Sequence, residues 1–478
     1  MEVANLQQTL QAAVSGELPT SRLEQQLNDL GAFRGTGRAN GIARCSAMLC
    51  EALPKIGSAS VGEQLHEKLA THQLLLQCLG DAGALAHLHP TCLRLLFEDG
   101  QRLAAAIELR QLLSKQAPDA AAKGPLHDAA VAAGHAAAAA VAGAGDRSAL
   151  DLFFACPLTT VPELLRQVAV AAGGLGTQPA RAAVHQEVAA QLSKAVQAAL
   201  GGALQQRAQQ QQWFGPALNA AIGGLSDPEW TAGEDARSAL EALADAACRL
   251  FPLLGREASR HVQQESALLA LELTDRLLNA WAAAVAAAAP GQQRRQLHQM
   301  YSAVKGRLLA ALLEQAEALG LGQPEGEAQL RRVEGLAEAH AAYTQLLDIS
   351  RLTGDTEQLY RQMEQLVGDG LDPPLATYVF CRLLKEARHA ELLDLPSQFD
   401  AQLQRWLSDE SGADGPARLQ LRWLHDLRTA SYSTASASLG LLAQAQQEGL
   451  SEGEAERLLA LQRLSALVAA GGAEVGTA

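Results

Sequence analysis

Residues 346–370 read LLDISRLTGDTEQLYRQMEQLVGDG, 376–396 ATYVFCRLLKEARHAELLDLP, 419–445 LQLRWLHDLRTASYSTASASLGLLAQA and 454–470 EAERLLALQRLSALVAA. In each stretch apolar residues return every three or four positions, the spacing of an amphipathic helix. Breakers punctuate them at Gly354, Gly368 with Gly370, Pro373-Pro374 and Pro396. Such residues stop helices because proline cannot continue one and glycine tolerates the left-handed cap. Nothing in this third forms a catalytic constellation. It reads as short helices laid one against the next.

The rest of the chain agrees. Of 478 residues 48% are hydrophobic, enough for a large core, while aromatics are only 4%. Ala, Leu and Gln dominate and favour helix. The β-branched and aromatic residues that strands use are sparse. Capping-box spacings recur at Ser21…Glu24, Ser60…Glu63, Thr231…Glu234 and Ser451…Glu454. Thr160-Val-Pro-Glu163 reads as a helix start with proline in its first turn. Gly80, Gly100, Gly255 and Gly320 read as helix stops. Leu65, Leu69, His72, Leu76 and Leu79 share one helix face, and Glu63, Glu67 and Lys68 lie off it. The expected fold is all-α, an irregular α-solenoid, that is, an elongated stack of antiparallel helices. A single core rarely exceeds about 250–300 residues, whereas a stack grows without that limit. No strict tetratricopeptide or armadillo period is visible.

Composition shifts divide the chain. Residues 1–115 form an N-terminal part of the stack. Residues 116–147 are an Ala/Gly-rich insert, either a small-residue helix or a mobile segment. Residues 148–319 form a central part with long helices. Residues 320–328 (GLGQPEGEA) read as a linker, 329–470 as a part with shorter helices, and 471–478 as a disordered tail.

Formal net charge is −14. Duplex binders usually carry a basic face, and the densest basic runs here are Gln293-Arg294-Arg295 and Arg331-Arg332. Direct nucleic-acid binding is not expected. Cys45, Cys50, Cys78, Cys92, Cys156, Cys248 and Cys381 are scattered and odd in number, which suits buried thiols in a reducing compartment. The opening MEVANLQQTLQAAV lacks the basic region and long apolar core of a secretory signal. Residues 280–290 are the most apolar run and are too short to span a bilayer. A soluble intracellular protein is expected.

Chemistry-bearing groups are few. His87-x-His89-x-x-Cys92, with Cys78 and His72 nearby, has metal-ligating residue types, but Pro90 breaks the helix between the histidines and the thiol, and zinc needs three or four convergent ligands. His72, on an apolar face, reads as a hydrogen-bonded core histidine. Cys45 and Cys50 fall on different faces of a helix. His425, Asp426 and Ser431 have triad residue types, but neighbours on one helix point apart. Residues 429–442 carry small hydroxyl side chains opposite sparse hydrophobes; membrane-active helices usually carry larger ones, so close packing in the stack is expected. No phosphate loop, HExxH or EF-hand loop occurs. No catalytic residue, metal or cofactor is assigned.

The ordered segments resemble the helical region of the nucleoporin-133 family. The resemblance runs through residues 64–79, Gly83-Ala-Leu85 to Leu88-His-Pro90, 95–112, Asp151-Leu-Phe-Phe154 to Val161-Pro-Glu-Leu-Leu165, then 346–363, 378–395, Trp423-Leu-His425-Asp426 and 458–469. It covers nearly the whole chain apart from the Ala-rich and Gln-rich stretches. It implies a non-enzymatic scaffold of the nuclear pore's Y-shaped subcomplex at the nuclear envelope, supporting messenger-RNA and protein transport. Its implied partners are other Y-complex nucleoporins, nucleoporin-107 among them. The family's N-terminal propeller and the distal block that grips nucleoporin-107 have no counterpart in these residues. In the last helix Leu458, Leu461, Leu464, Leu467 and Val468 are expected on one packed face. Leu459 lies off it and marks a candidate protein-interaction surface.

Overall fold

The computed structural model describes residues 3–53, 61–116, 124–140, 148–178, 181–223, 229–254, 259–368, 371–409, 415–445 and 452–475. The chain divides into two units, Met1–Leu336 and Ala337–Ala478. The first holds α1 (Val3–Val14), α2 (Thr20–Asp29), α3 (Gly41–Cys50), α4 (Val61–Asp81), α5 (Pro90–Gln116), α6 (Pro125–Ala140), α7 (Ala149–Ala155), α8 (Pro157–Gly173), α9 (Ala182–Gly223), α10 (Glu234–Leu254), α11 (Arg260–Ala287) and α12 (Gln292–Leu319). The division falls within α13 (Pro324–Ala339). The second unit continues with α14 (Tyr343–Thr353), α15 (Thr356–Gln365), α16 (Leu375–Lys385), α17 (His389–Leu393), α18 (Asp400–Leu407), α19 (Gly415–Arg428), α20 (Tyr432–Ala445) and α21 (Glu452–Val475). No strand occurs among the described residues. The all-α helical stack read from the sequence is the fold.

In the first unit the face read on α4 is the buried one: Leu65, His72, Leu76 and Leu79 are inside, and Glu63 and Glu67 outside. Leu75, Leu76 and Leu79 join a core with Leu6, Leu23, Leu27, Ile42 and Phe97 from α1, α2, α3 and α5. Non-sequential pairs then tie the unit together, α5 lying along α9 and α8 against α10. Phe214 interrupts α9 with non-helical φ −127° and ψ 26° and sets its ring 6.0 Å from Phe97. Gly80 makes room for it; a Cβ there would stand 2.9 Å from the Phe214 ring.

The Ala/Gly-rich stretch is not an appendage. Within it α6 buries Leu126, Ala129, Ala130, Ala133 and Ala137 and packs on α7 and α8. Small side chains let backbones approach closely, and a Cβ at Gly134 would fall 1.8 Å from the carbonyl oxygen of Ala149. Residues 117–123 and 141–147 lie outside the described residues.

The second unit is serial. α14, α15 and α16 pack on one another, α16 on α17 and α18, α18 on α19, α19 on α20, and α20 on α21. One turn recurs along it. After α13, α16 and α19 the chain passes through Ala341 (φ 50°), Ala387 (φ 56°) and Ala430 (φ 55°). Each time the following amide donates five residues back: Ala342 to Ala337, Arg388 to Leu383, Ser431 to Asp426. Each left-handed alanine donates to the carbonyl three residues back, at Glu338, Leu384 and Leu427. This is the Schellman helix stop, usually made with glycine; α2 ends on the same turn with Gly31 (φ 64°). A helix resumes two residues after each left-handed alanine, and a further helix (α15, α18, α21) follows each time. The same stop thus recurs along the second unit with a period that the sequence hides.

Several expected boundaries move. Pro19 precedes α2, so Ser21 lies inside it. Thr231 sits in a 3-10 turn before α10 rather than capping it. α8 begins at Pro157, leaving Pro162 one turn further in. Gly100 is interior to α5, while Gly320 (φ 95°) does end α12. Ser60, Gly255, Gly370 and Ser451 lie outside the described residues. The side-chain caps that form are Asn40, Ser148, Ser259 and Asp355. The linker expected at 320–328 is a turn over Gly320–Gln323, with α13 starting at Pro324. The tail expected from 471 is helical to Val475, and 476–478 are not among the described residues.

Candidate functional site

α20 carries the small hydroxyl residues noted in the sequence; Ser438 is buried, Thr434 and Ser436 are half-buried and Ser433 is exposed. Ala435, Ser438, Leu439 and Leu442 are inside. Ser438 Oγ donates to Asp426 Oδ2 on α19 (3.1 Å), and Ser436 Oγ donates to the Gln462 carbonyl on α21 (3.2 Å). At Gly440 the missing Cβ leaves room for the end of the Gln462 side chain, whose Nε2 would stand 2.7 Å from it. This is close packing in a stack, as expected.

The α20–α21 packing decides which face of α21 is left over. Leu458, Leu461, Gln462, Ser465 and Ala469 follow the i, i+3, i+4, i+7 stripe and are the partly or fully buried positions. The expected packed face is therefore wrong in its second half. Leu464 is 59% exposed, Leu467 68% and Val468 48%. Leu459 is 42% exposed, as its off-face position predicted. The reason is steric: α20 offers a small-residue surface, and Ser465 and Gln462 fit it more closely than leucines would. A broad apolar face remains on α21, flanked by exposed Arg457 and Arg463.

In the first unit a cavity of about 1330 Å³ opens among α9, α10, α11 and α12. Alanines 280, 283 and 286–289 floor it, and Arg94, Arg207, Arg276 and Arg294 stand with Glu229, Glu272 and Asp275 around it. Burial raises the Glu229 carboxyl, though its ion pair with Arg207 opposes the rise. Arg94 is paired with Glu98. No histidine, cysteine or serine lines the cavity, and its polar lining among the described residues is Thr231 with these carboxylates, guanidinium groups and amides.

The histidines and thiol of 87–92 do not converge. His87 Nε2 meets Glu24 at 2.8 Å on the surface, His89 Nδ1 meets the Thr91 hydroxyl at 2.8 Å, and buried Cys92 faces the carbonyls of Gly35 and Gly37. Nor does a triad form. His425 and Asp426 are both buried, but His425 turns to Asp400 (3.5 Å) while Asp426 accepts from Ser438. The seven cysteines are free thiols; Cys45, Cys50, Cys92 and Cys156 are buried.

His72 is fully buried as expected, yet neither ring nitrogen finds a hydrogen-bond partner of good geometry. Beside it lies a polar cluster that the sequence did not reveal. Asp99, fully buried on α5, accepts from Arg38 through both carboxylate oxygens and from Ser46 Oγ (2.7 Å). Lys68 Nζ donates to the carbonyls of Cys50 and Ala155, each at 2.8 Å. Burial and the Asp99 charge push the Cys50 thiol well above its usual range, and burial pushes His72 down. These residues are far apart in sequence and adjacent only through α3, α4 and α5, so no spacing signal could have found them.

No helix among the described residues is long and apolar enough to cross a membrane. No family model matches the chain, and no curated protein matches it.

Proposed function

We propose that this chain is a non-enzymatic scaffold that holds partner proteins along a helical stack. The exposed leucine face of α21 carries the reading, with support from the serial architecture of the second unit. Repeats that contact only their neighbours leave helix ridges open for docking, and apolar residues gathered on one face mark an interaction site more than a catalytic one. By the resemblance of its ordered segments, the assembly proposed is the Y-shaped subcomplex of the nuclear pore, where the chain supports pore assembly and transport of messenger RNA and protein.

The test is affinity capture of the full chain from isolated nuclei, with Leu464→Asp/Leu467→Asp in parallel. Covering two leucines exposed to this degree contributes about 2–3 kcal/mol, or roughly 30- to 150-fold in affinity. Y-complex nucleoporins should be recovered with the wild-type chain and lost with the variant. Recovery of vesicle-coat or tethering subunits instead would move the scaffold to another assembly. Equal capture by the two chains would remove α21 as the docking face.

A further inference from the structure

Three helices bring one thiol, one imidazole and one carboxylate together beneath the surface of the first unit. Cys50 closes α3, His72 lies within α4, and Asp99 lies within α5. One ligand atom from each lies within 4.8 Å of the other two, and all three residues are buried. It is the one such group among the described residues. Cysteine sulfur, histidine nitrogen and aspartate oxygen are the donors zinc takes, at about 2.0–2.3 Å each.

The second observation is His72 itself. An imidazole with no exposure normally satisfies its nitrogens, because leaving them unpaired costs the full desolvation of each. Here both lack a partner of good geometry, while Sγ and the carboxylate stand close by. The Leu96 carbonyl lies near the ring, and a backbone carbonyl is a common partner for the second nitrogen of a metal-ligating histidine. Gly100 completes the setting. A Cβ there would stand 2.9 Å from Gln210 Nε2 and 3.1 Å from the ring, so glycine leaves the ring room beside Asp99.

We propose that Cys50, His72 and Asp99 form a zinc site, with Arg38 as the cation that occupies the carboxylate when no ion is bound. Charge balances in the exchange. One Zn²⁺ enters; the Arg38 guanidinium swings off Asp99 and the Cys50 thiol releases its proton to solvent as the Zn–S bond forms. Arg38 can move because its side chain is 35% exposed, whereas Asp99 is sealed. Ser46, already donating to Asp99 Oδ2, keeps the carboxylate turned inward. Lys68, beside Cys50, favours the thiolate.

The experiment titrates the chelator-stripped full chain with Co²⁺ and then Zn²⁺. Expected are one ion per chain, a thiolate-to-cobalt charge-transfer band, visible bands of cobalt held by the three side chains and one water from solvent, and loss of both on adding zinc. Cys50→Ser, close in shape to the native residue, should lose the charge-transfer band while circular dichroism stays unchanged. Arg38→Gln should tighten zinc binding by about tenfold or more, because the competing cation is gone. Zinc should also raise the melting temperature of the wild-type chain, which keeps the test valid if a variant folds poorly. A silent cobalt titration would mean that the cluster holds only a buried water, and would overturn the proposal. A band that survives Cys50→Ser, or zinc affinity that falls in Arg38→Gln, would overturn it equally.

Discussion

Replacing Ala341, Ala387 and Ala430 by glycine should stabilise the second unit, although alanine is the better helix former. Each of these residues sits at φ 50–56° in the stop after a helix. The left-handed region brings the Cβ against the following carbonyl and costs an L-residue about 1–2 kcal/mol. Glycine escapes that strain but gives the unfolded chain more freedom, worth about 0.5–1 kcal/mol. The difference leaves a gain of about 0.5–1 kcal/mol per site. Little packing is lost, because Ala387 and Ala430 are exposed and Ala341 is half-buried. The turns follow separate helices without shared partners, so the gains should add. The triple variant should be about 2 kcal/mol more stable and melt roughly 4–8 °C higher in the transition assigned to this unit. Differential scanning calorimetry of the full chain reads this directly. Ala437→Gly, exposed in the middle of α20, is the control and should cost about 1 kcal/mol. If the turn variants lose stability as the control does, the left-handed turns are not the strained element claimed, and the repeat built on them fails.

Opposite signs are also expected for two glycine-to-alanine changes in the first unit. Gly134→Ala drives a Cβ into the Ala149 carbonyl and should cost about 1–3 kcal/mol of overpacking, more than its helix propensity returns; Gly335→Ala, with nothing within 4 Å, should gain about 1 kcal/mol. Urea midpoints compare the two. Asn40 is fully buried, caps α3 by accepting from the Ile42 and Ala43 amides, and donates to the carbonyls of Ala32 and Arg34. Asn40→Ala should therefore cost about 3–4 kcal/mol, with Asn40→Asp in between because it keeps the cap and loses the donors. Burial holds His425 below its ordinary value of 6.5, with Asp400 and Asp426 pulling it up and Arg428 pushing it down. The unfolded chain then takes up a proton before the folded one does. Stability from this group is complete above about pH 6.5 and falls by up to about 1.4 kcal/mol per pH unit as pH drops toward the folded value. Urea unfolding at pH 7.5, 6.5 and 5.5 should show that slope, and His425→Gln should flatten it.

Helix content and the buried face of α4 were legible because leucine spacing at 3.6 residues per turn is a local signal. The α6 stretch was only half legible. Its alanines gave helix, but propensity says nothing of whether small residues lie in solvent or at a close crossing, and the Ala149 carbonyl that decides it belongs to another helix. The repeat in the second unit was invisible for a different reason. A glycine at φ near 55° announces a helix stop, whereas alanine is read as helix continuing, so EAHAA, KEARH and LRTAS show no common breaker. The backbone hydrogen bonds are the same in all three; the residues that make them are not.

Legibility of the α21 face failed for a reason that bears on what the face is for. A helical wheel ranks positions by hydrophobicity and gives the leucines to the core. In α21 the partner surface on α20 is Ser436, Gly440 and their neighbours, and what fits against so small a surface is Gln462 and Ser465. Gln462 and Ser465 take the interior, and Leu464 and Leu467 point outward. A helix held this way keeps its position through Leu458, Leu461 and the Ser436–Gln462 hydrogen bond, without using Leu464 or Leu467. Those groups are then free to change without unfolding the hairpin. Leu464→Asp and Leu467→Asp should therefore leave the second unit's calorimetric transition within about 0.5 kcal/mol of wild type. A larger loss would show that the leucines hold the stack together, and the docking face would have to be sought elsewhere.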